Sequence, residues 1–407
     1  MCKRSKTPYP MGELDLAGYL KKAWMNGWLD EYSDEHFMIK AIESRITNIE
    51  WENQLIFNNS NTIYSPITSN GKIDFSVFAT NFVINLSSRL NVMSQKFGEK
   101  SIKRFVQNQL SAGKSHYNRD IFFQALSEIE VLSFYCCRYA WENIIYEPAT
   151  GINMSNPEAR FETFFPNISN NGLVKVVINI EVKTPKFPIN TEKKRLAIPT
   201  VLLSDIGRLQ FKELCEKYDI KYIWPRVTKL VQFINSAAKK FKIPNAYEFN
   251  ILYINWSYSE FPSNSFLEAW SILTNEINGI LTHPEIGKKL PFEQPICDEA
   301  YQKITAVVVY TSSLDQLMFS DFSHVWQTSE KVGPRFRIFV LNKNLRDSPY
   351  LYNALFEITG MNPKYSTEKL EILVNFNHNK NTSIDEKIND YNFGLQAINI
   401  IQNNFFK

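Results

Sequence analysis

The segment 174–183, a long aliphatic strand that ends in charged residues, constrains the fold of this chain most. Side chains alternate between the two faces of a strand. One face of this strand is aliphatic, and the opposite face ends in Glu181 and Lys183. Pro185 stops the strand, because proline has no backbone N–H to donate to the hydrogen bonds of a sheet. The pattern predicts a buried strand with an acid and a base side by side at its end. Alternatively, the two charges form a weak ion pair on a solvated strand face. The aliphatic face consists of Val174, Val176, Ile178, Ile180 and Val182.

Helical and extended patterns alternate around this strand, which predicts an α/β (α+β) fold. The order is a helix, three strands, a helix and a strand, with an insertion at about 186–226. A turn at 167–172 joins the second and third strands as a hairpin. The predicted elements of this core are a helix at 120–141, strands at 144–147, 158–165 and 174–183, a helix at 227–241 and a strand at 249–256.

The regions on either side of this core differ from it in their patterns. The chain has 407 residues, which is enough for about two to four domains. Residues 1–115 are predicted to form a mostly helical N-terminal region, 116–315 the core with its insertion, and 316–407 a C-terminal α/β region. Within the last region we expect a strand at 370–376 and a helix from 389.

Charge and hydropathy exclude several classes of protein. The net charge is only +3, so binding of nucleic acid would need local basic patches, and we expect Lys186, Lys239 and Lys240 to contribute. No apolar run reaches the roughly 20 residues that a membrane-spanning helix needs, and none follows the basic N-terminus as in a secretory signal. The adjacent Cys136 and Cys137 are expected to be buried free thiols. These observations predict a cytoplasmic protein with no membrane partner.

A further carboxylate is expected near the end of the long strand. Glu158 follows Pro157 and opens the preceding strand of the hairpin, so it should lie near Glu181. Two adjacent carboxylates repel each other unless a cation or a proton neutralises one of them. Mg²⁺ binds one or two carboxylates and keeps waters and phosphate as its other ligands. Because a lysine beside them can orient or deprotonate water, the constellation predicts a Mg²⁺ or Mn²⁺ site.

Three pieces of the chain resemble motifs of the PD-(D/E)xK phosphodiesterase superfamily, the restriction-endonuclease-like nucleases. Pro157 and Glu158 stand where the family has Pro-Asp, and the segment from Glu181 to Lys183 fully matches the (D/E)xK element. The helix at 120–141 resembles the family helix that donates an acidic residue. The resemblance covers residues 120–256, about a third of the chain.

The identity of the acid on that helix is open between two residues. Glu128 and Glu130 flank the apolar stripe on opposite sides, and periodicity does not choose between them. The family pattern favours Glu128.

The resemblance implies a restriction-endonuclease-like core and a role for each motif residue. Glu158 and Glu181 would ligate Mg²⁺ or Mn²⁺, and Lys183 would position the attacking water. Glu128 would orient water or support a second metal. The implied reaction is hydrolysis of nucleic-acid phosphodiester bonds, with DNA expected rather than RNA.

The resemblance also implies a biological setting. Prokaryotic defence against foreign DNA is a common role of such nucleases. They often pair across a two-fold axis to cut both strands, so we expect a homodimer. The N- and C-terminal regions are expected to bind a protein partner, a second copy of the chain or the substrate.

Two alternatives from other functional classes stay open on sequence grounds. One is a catalytically inactive nuclease-like module that binds nucleic acid or a protein. In that case Glu158 would point into solvent or pair with Arg160. The other is an unrelated α/β protein with a chance Glu-x-Lys, which would show a strand order incompatible with one shared helix–sheet core.

Overall fold

The computed structural model describes the larger part of the chain, with gaps. Lys186, most of the insertion at 186–226, the strand predicted at 370–376 and the helix predicted from 389 lie outside the described residues. The described residues are 18–47, 75–138, 140–149, 155–167, 172–185, 195–197, 217, 221–223, 225–256, 266–274, 279–288, 295–310, 336–341 and 349–359.

Among the described elements, five helices come first, five strands follow, and the remaining helices and strands are interspersed. The helices are α1 (Tyr19–Met25), α2 (Phe37–Thr47), α3 (Phe75–Phe97), α4 (Glu99–Phe105), α5 (Arg119–Arg138), α6 (Pro225–Lys240), α7 (Phe266–Thr274), α8 (Pro284–Lys288), α9 (Asp298–Lys303) and α10 (Pro349–Thr359), with a π-helical turn at Val106–Leu110. The strands are β1 (Asn143–Tyr146), β2 (Ala159–Asn167), β3 (Gly172–Lys183), β4 (Arg195–Ala197), β5 (Lys221–Ile223), β6 (Glu248–Asn255), β7 (Ala306–Tyr310) and β8 (Phe336–Val340).

The main sheet is mixed, which confirms the prediction of an α/β (α+β) protein. Among the described residues its strand order is β1-β2-β3-β6-β7-β8. β1, β2 and β3 form an antiparallel meander, whereas β3, β6 and β7 pair in parallel. The predicted order of helix, three strands, helix and strand is therefore present as α5, β1 to β3, α6 and β6. β4 and β5, which sequence patterns did not predict, pair in parallel as a separate two-stranded sheet.

The chain divides into two compact units. Unit 1 comprises Met1–Lys186, Lys239–Phe266 and Lys303–Phe336, and unit 2 comprises Phe187–Ala238, Leu267–Gln302 and Arg337–Lys407. Strands β1, β2, β3, β6 and β7 and helix α5 belong to unit 1, as do all of the described residues of the site below. The predicted boundaries at 115 and 315 stay predictions.

Helix α5 packs on the sheet of unit 1 through aromatic side chains. The ring of Tyr135 lies 5.3 Å from that of Phe161 on β2 and 6.1 Å from that of Tyr253 on β6. The two tyrosine hydroxyls are 2.6 Å apart in the buried core. Near the N-terminal half of α5, the Gln124 amide donates to the carbonyl of Thr184 at 3.5 Å. These contacts hold one side of α5 against the end of β3, where the motif residues lie.

The last turn of α5 differs from the sequence prediction in one detail. Cys136 is buried and Cys137 is exposed, and both are free thiols. Cys137 was expected to be buried, but one residue corresponds to about 100° of helix rotation, which carries it off the packed side. Within the described residues, no helix has the length and apolar character needed to cross a membrane.

Candidate active site

The hairpin of β2 and β3 brings Glu158 and Glu181 together. Ala159 pairs with Ile180 in the antiparallel ladder, and the backbone N–H of Glu158 donates to the carbonyl of Ile180 at 2.8 Å. Glu158 precedes Ala159 and Glu181 follows Ile180, so the two carboxylates lie across from each other. Directly opposed residues of an antiparallel pair share a face of the sheet, and Lys183 lies on the same face two residues further on.

Both carboxylates are buried. Glu181 has 0% of its surface exposed and Glu158 has 7%. The alternative of a solvated strand face is therefore contradicted, because β3 lies inside the sheet and is covered on both faces from Val176 to Val182. The inactive-module alternative expected Glu158 to point into solvent, but its side chain is buried.

Arg160 does not pair with Glu158 either. Its Nε lies 2.9 Å from Oε1 of Glu162, and its Nη1 lies 3.1 Å from Oε1 of Glu248. Arg160 therefore links β2 to β6 away from the candidate site, and a different cation pairs with Glu158.

Two lysines approach the carboxylate pair. Nζ of Lys183 lies 2.5 Å from Oε1 of Glu181. Nζ of Lys240, in the last turn of α6, lies 2.9 Å from the same oxygen and 3.2 Å from Oε1 of Glu158. Within the described residues, Oε2 of Glu181 has no hydrogen-bond partner. The ammonium of Lys240 thus bridges both carboxylates, whereas that of Lys183 contacts Glu181 alone among the described acidic side chains.

Glu128 of α5 is the helix acid that faces this pair. The residue as a whole is partly exposed, but its Oε2 is buried and has no hydrogen-bond partner among the described residues. Burial, and then the charges of Glu158 and Glu181, raise the pKa of Glu128 well above its ordinary value. Glu130, two residues on, is buried where its charge acts on Arg89 and Tyr310. The rotation of about 200° between the two acids explains the separation.

The two lysines of the site do not fully neutralise its carboxyl groups. Burial, and then the charge of Glu181, raise the pKa of Glu158 to about 7, although Lys240 and Lys183 oppose the rise. Burial by itself would lower the pKa of Lys240, but the carboxylates of Glu158 and Glu181 raise it above its usual value. A cluster of three carboxyl groups around two ammonium groups therefore favours an additional proton or cation.

The donor set fits a hard divalent cation. Oε2 of Glu181 and Oε2 of Glu128 are buried and lack hydrogen-bond partners in the described structure, and Mg²⁺ and Mn²⁺ take oxygen ligands. The described residues contain no group of three or more His, Cys, Asp or Glu side chains arranged to hold a metal. Mg²⁺ uses one or two carboxylates together with waters and substrate phosphate, so Glu158 and Glu181 would suffice as protein ligands.

A polar network supports β3 just below the site. The amide of Asn179, on the same face as Glu181, donates to Oε1 of Glu248 at 2.8 Å and to Oδ1 of Asn250 at 2.7 Å. The amide of Asn250 donates in turn to the carbonyls of Lys242 and Lys303, each at 2.7 Å. Because this network is buried, it fixes the register of β3 against β6 and hence the position of Glu181.

The three lysines that were predicted to contact nucleic acid differ in where they lie. Lys186 lies outside the described residues, and Lys239 is exposed at the end of α6. Lys240 was expected to contact nucleic acid from the surface, but the structure places its ammonium on the carboxylate pair. Its contact with phosphate stays a prediction.

The sequence patterns did not predict the proximity of Lys240 and of Tyr146 to the cluster. Tyr146 ends β1 opposite Ala159, and burial followed by the charges of Glu128, Glu147 and Glu158 raises the pKa of its hydroxyl. Tyr146 lies two residues before Pro148, near the end of the strand predicted at 144–147, and this position was an available signal. Lys240 carries no local signal, because its approach depends on tertiary packing.

Comparison with known proteins adds no family assignment: no family model, curated protein or solved structure gives a significant match to this chain. The function of the chain is therefore inferred from the geometry of Glu128, Glu158, Glu181 and the two lysines.

Proposed function

We propose that the chain is a metal-dependent nuclease of the PD-(D/E)xK type, which hydrolyses phosphodiester bonds of nucleic acid. The observation that carries the proposal is the buried pair of Glu158 and Glu181 at the ends of a hairpin, with Lys183 2.5 Å from Glu181. Supporting it, α5, β1 to β3, α6 and β6 follow the element order of a restriction-endonuclease-like core. A partly buried third acid, Glu128, faces the same pair.

Each residue has a distinct chemical task in this proposal. Glu158 and Glu181 would hold Mg²⁺ or Mn²⁺, which when bound polarises a phosphoryl oxygen and lowers the pKa of a coordinated water. The ammonium of Lys183 orients the attacking water and offsets negative charge that develops on the phosphate. Glu128 has a raised pKa, so its carboxyl group retains a proton at higher pH than an exposed glutamate and can donate a hydrogen bond to water.

The substrate and setting proposed here follow the same resemblance. We propose DNA rather than RNA as substrate, a cytoplasmic location, action as a homodimer and a role in prokaryotic defence. Lys239 is exposed beside the site and is available for phosphate contacts.

One observation favours a second candidate function, an inactive module that binds nucleic acid or a protein. Lys183 and Lys240 already place two ammonium groups against the two carboxylates. In this candidate the four groups form a buried ion-pair network that maintains the fold and catalyses nothing.

The test is cleavage of supercoiled plasmid and of single-stranded RNA with Mg²⁺, Mn²⁺ or EDTA. Wild type is compared with Lys183→Ala and with a matched control, Lys175→Ala. Lys175 lies on the same strand and face, but its exposed side chain pairs with Glu162 at 2.9 Å.

The nuclease proposal expects metal-dependent cutting by wild type and Lys175→Ala, and its loss in Lys183→Ala. Cutting of plasmid but not RNA would support DNA as the substrate. Cutting that survives in Lys183→Ala would place the activity elsewhere. No cutting by folded wild type would favour the binding module.

A further inference from the structure

The bridging position of Lys240 has a consequence for metal binding. Its Nζ lies 3.2 Å from Oε1 of Glu158 and 2.9 Å from Oε1 of Glu181. A divalent metal bound by both residues would lie about 2.1 Å from one oxygen of each carboxylate. An ammonium group and a metal ion cannot share the space between the same two oxygens, since both are cations and their centres would nearly coincide.

We infer that Lys240 is an internal counter-ion that occupies the cation position between Glu158 and Glu181, so that a divalent metal binds only when this ammonium withdraws. The inference deepens the proposed function, because it concerns regulation of the same metal site. Binding of metal and bridging by Lys240 are mutually exclusive states of one site.

Lys183 does not compete in this way. It contacts Glu181 but has no ion pair with Glu158 in the described structure. It is also attached to β3 two residues from Glu181, so its backbone is fixed by the sheet. Lys183 can remain beside a bound metal, whereas the bridging ammonium cannot.

The location of Lys240 allows it to withdraw. It is the last residue of α6, its side chain is 21% exposed, and the flanking Lys239 is exposed. A four-carbon side chain at a helix end can swing its ammonium into water without moving the backbone. The ion pairs of its ammonium with both carboxylates offset their buried negative charge when no metal is present.

The first experiment measures Mn²⁺ binding to the full chain at pH 8 by electron paramagnetic resonance of the free ion. The variants are Lys240→Met, Glu181→Gln and a matched control, Lys242→Met, whose side chain is exposed two residues beyond α6. Removing the competing ammonium should tighten Mn²⁺ binding in Lys240→Met about tenfold or more, which is about 1.4 kcal/mol. Lys242→Met should bind as wild type does, and Glu181→Gln should lose binding.

A second experiment uses only the wild-type chain, so it does not depend on whether Lys240→Met folds. Lysine acetylation rates are measured by mass spectrometry in EDTA and in saturating Mn²⁺. The inference predicts that Mn²⁺ makes Lys240 several-fold more reactive and leaves Lys242 unchanged.

The outcomes separate this inference from the proposed function. Equal or weaker Mn²⁺ binding by folded Lys240→Met, or Mn²⁺-independent labelling of Lys240, would overturn the counter-ion role and leave the metal site standing. Absence of Mn²⁺ binding by wild type and Lys240→Met alike would overturn both.

Discussion

Glu158→Gln should remove a pH-dependent loss of stability that the wild-type chain shows without metal. Burial, and then Glu181, raise the pKa of Glu158 from 4.5 to about 7 in the folded protein. Between these values the folded state holds a proton that the unfolded state has released. The folded state is therefore favoured at low pH, and this contribution is lost as pH rises from about 4.5 through 7.

The size of the effect follows from the two pKa values. A shift of one pKa unit corresponds to about 1.4 kcal/mol. Part of the resulting loss in the free energy of unfolding is already present at pH 5, and nearly all of it is present at pH 8. The rise from pH 4.5 to about 7 therefore predicts that wild type loses about 2 to 3 kcal/mol relative to Glu158→Gln between pH 5 and pH 8.

The assay is urea denaturation in EDTA at pH 5 and pH 8, with the difference between wild type and variant taken at each pH. Groups unaffected by the substitution cancel in this difference. The matched control is Glu162→Gln on the same strand. Burial would raise the pKa of Glu162, but ion pairs with Lys175 and Arg160 lower it to about 2. Glu162 therefore contributes stability that is present above pH 4.5 and is lost only as pH falls towards 2. The stability difference between wild type and Glu162→Gln should thus be the same at pH 5 and pH 8.

A difference for Glu158→Gln that stays constant or has the opposite sign would refute the reasoning. It would mean that Glu158 is ionised in the folded protein at pH 5, and that the site has no excess negative charge for a cation to neutralise.

Two further predictions test the helix acid and the polar network. Glu128→Met removes the carboxyl group that donates a hydrogen bond to water and should lower metal-dependent cleavage at least about tenfold with little loss of stability. Glu130→Gln should chiefly lower stability, because it removes the charge facing buried Arg89. Cleavage rates and urea midpoints of both variants check this, and equal effects would contradict it. Asn250→Ala should destabilise the chain by about 3 kcal/mol, since it leaves the carbonyls of Lys242 and Lys303 without this donor and removes one of the two acceptors of the Asn179 amide. Asn245→Ala, an exposed neighbour, should cost under about 0.5 kcal/mol in the same denaturation assay.

The hairpin and its carboxylate pair could be predicted because their signals are local. A strand at 174–183 was expected, and β3 runs from Gly172 to Lys183 because Gly172 pairs with Asn167 across the turn. The same hairpin brings Glu158 to Glu181 through the β2–β3 register. Alternation alone left the burial of the Glu181 face undecided, since burial depends on which groups pack over that face, among them the side chain of Lys240.

The rest of the site depends on tertiary contacts that no short sequence pattern encodes. Helical periodicity places Glu128 and Glu130 on either side of one stripe, and only packing of α5 on the sheet directs Glu128 to the carboxylates. Lys240 follows an amphipathic helix like many surface lysines. Its ammonium reaches the two carboxylates because the end of α6, just before the connection to β6, lies beside them. That placement depends on the whole fold.

The most direct test of the metal-dependent nuclease is single-turnover cleavage of end-labelled duplex DNA with Mn²⁺ by wild type, Glu181→Gln and Glu162→Gln. A carboxylate that holds the catalytic metal contributes several kcal/mol to the transition state, so Glu181→Gln should cut at least about 100-fold more slowly. Glu162→Gln, whose carboxylate pairs with Arg160 and Lys175 away from the site, should cut as wild type does. Equal rates for wild type and Glu181→Gln, or cutting that persists in EDTA, would contradict the account.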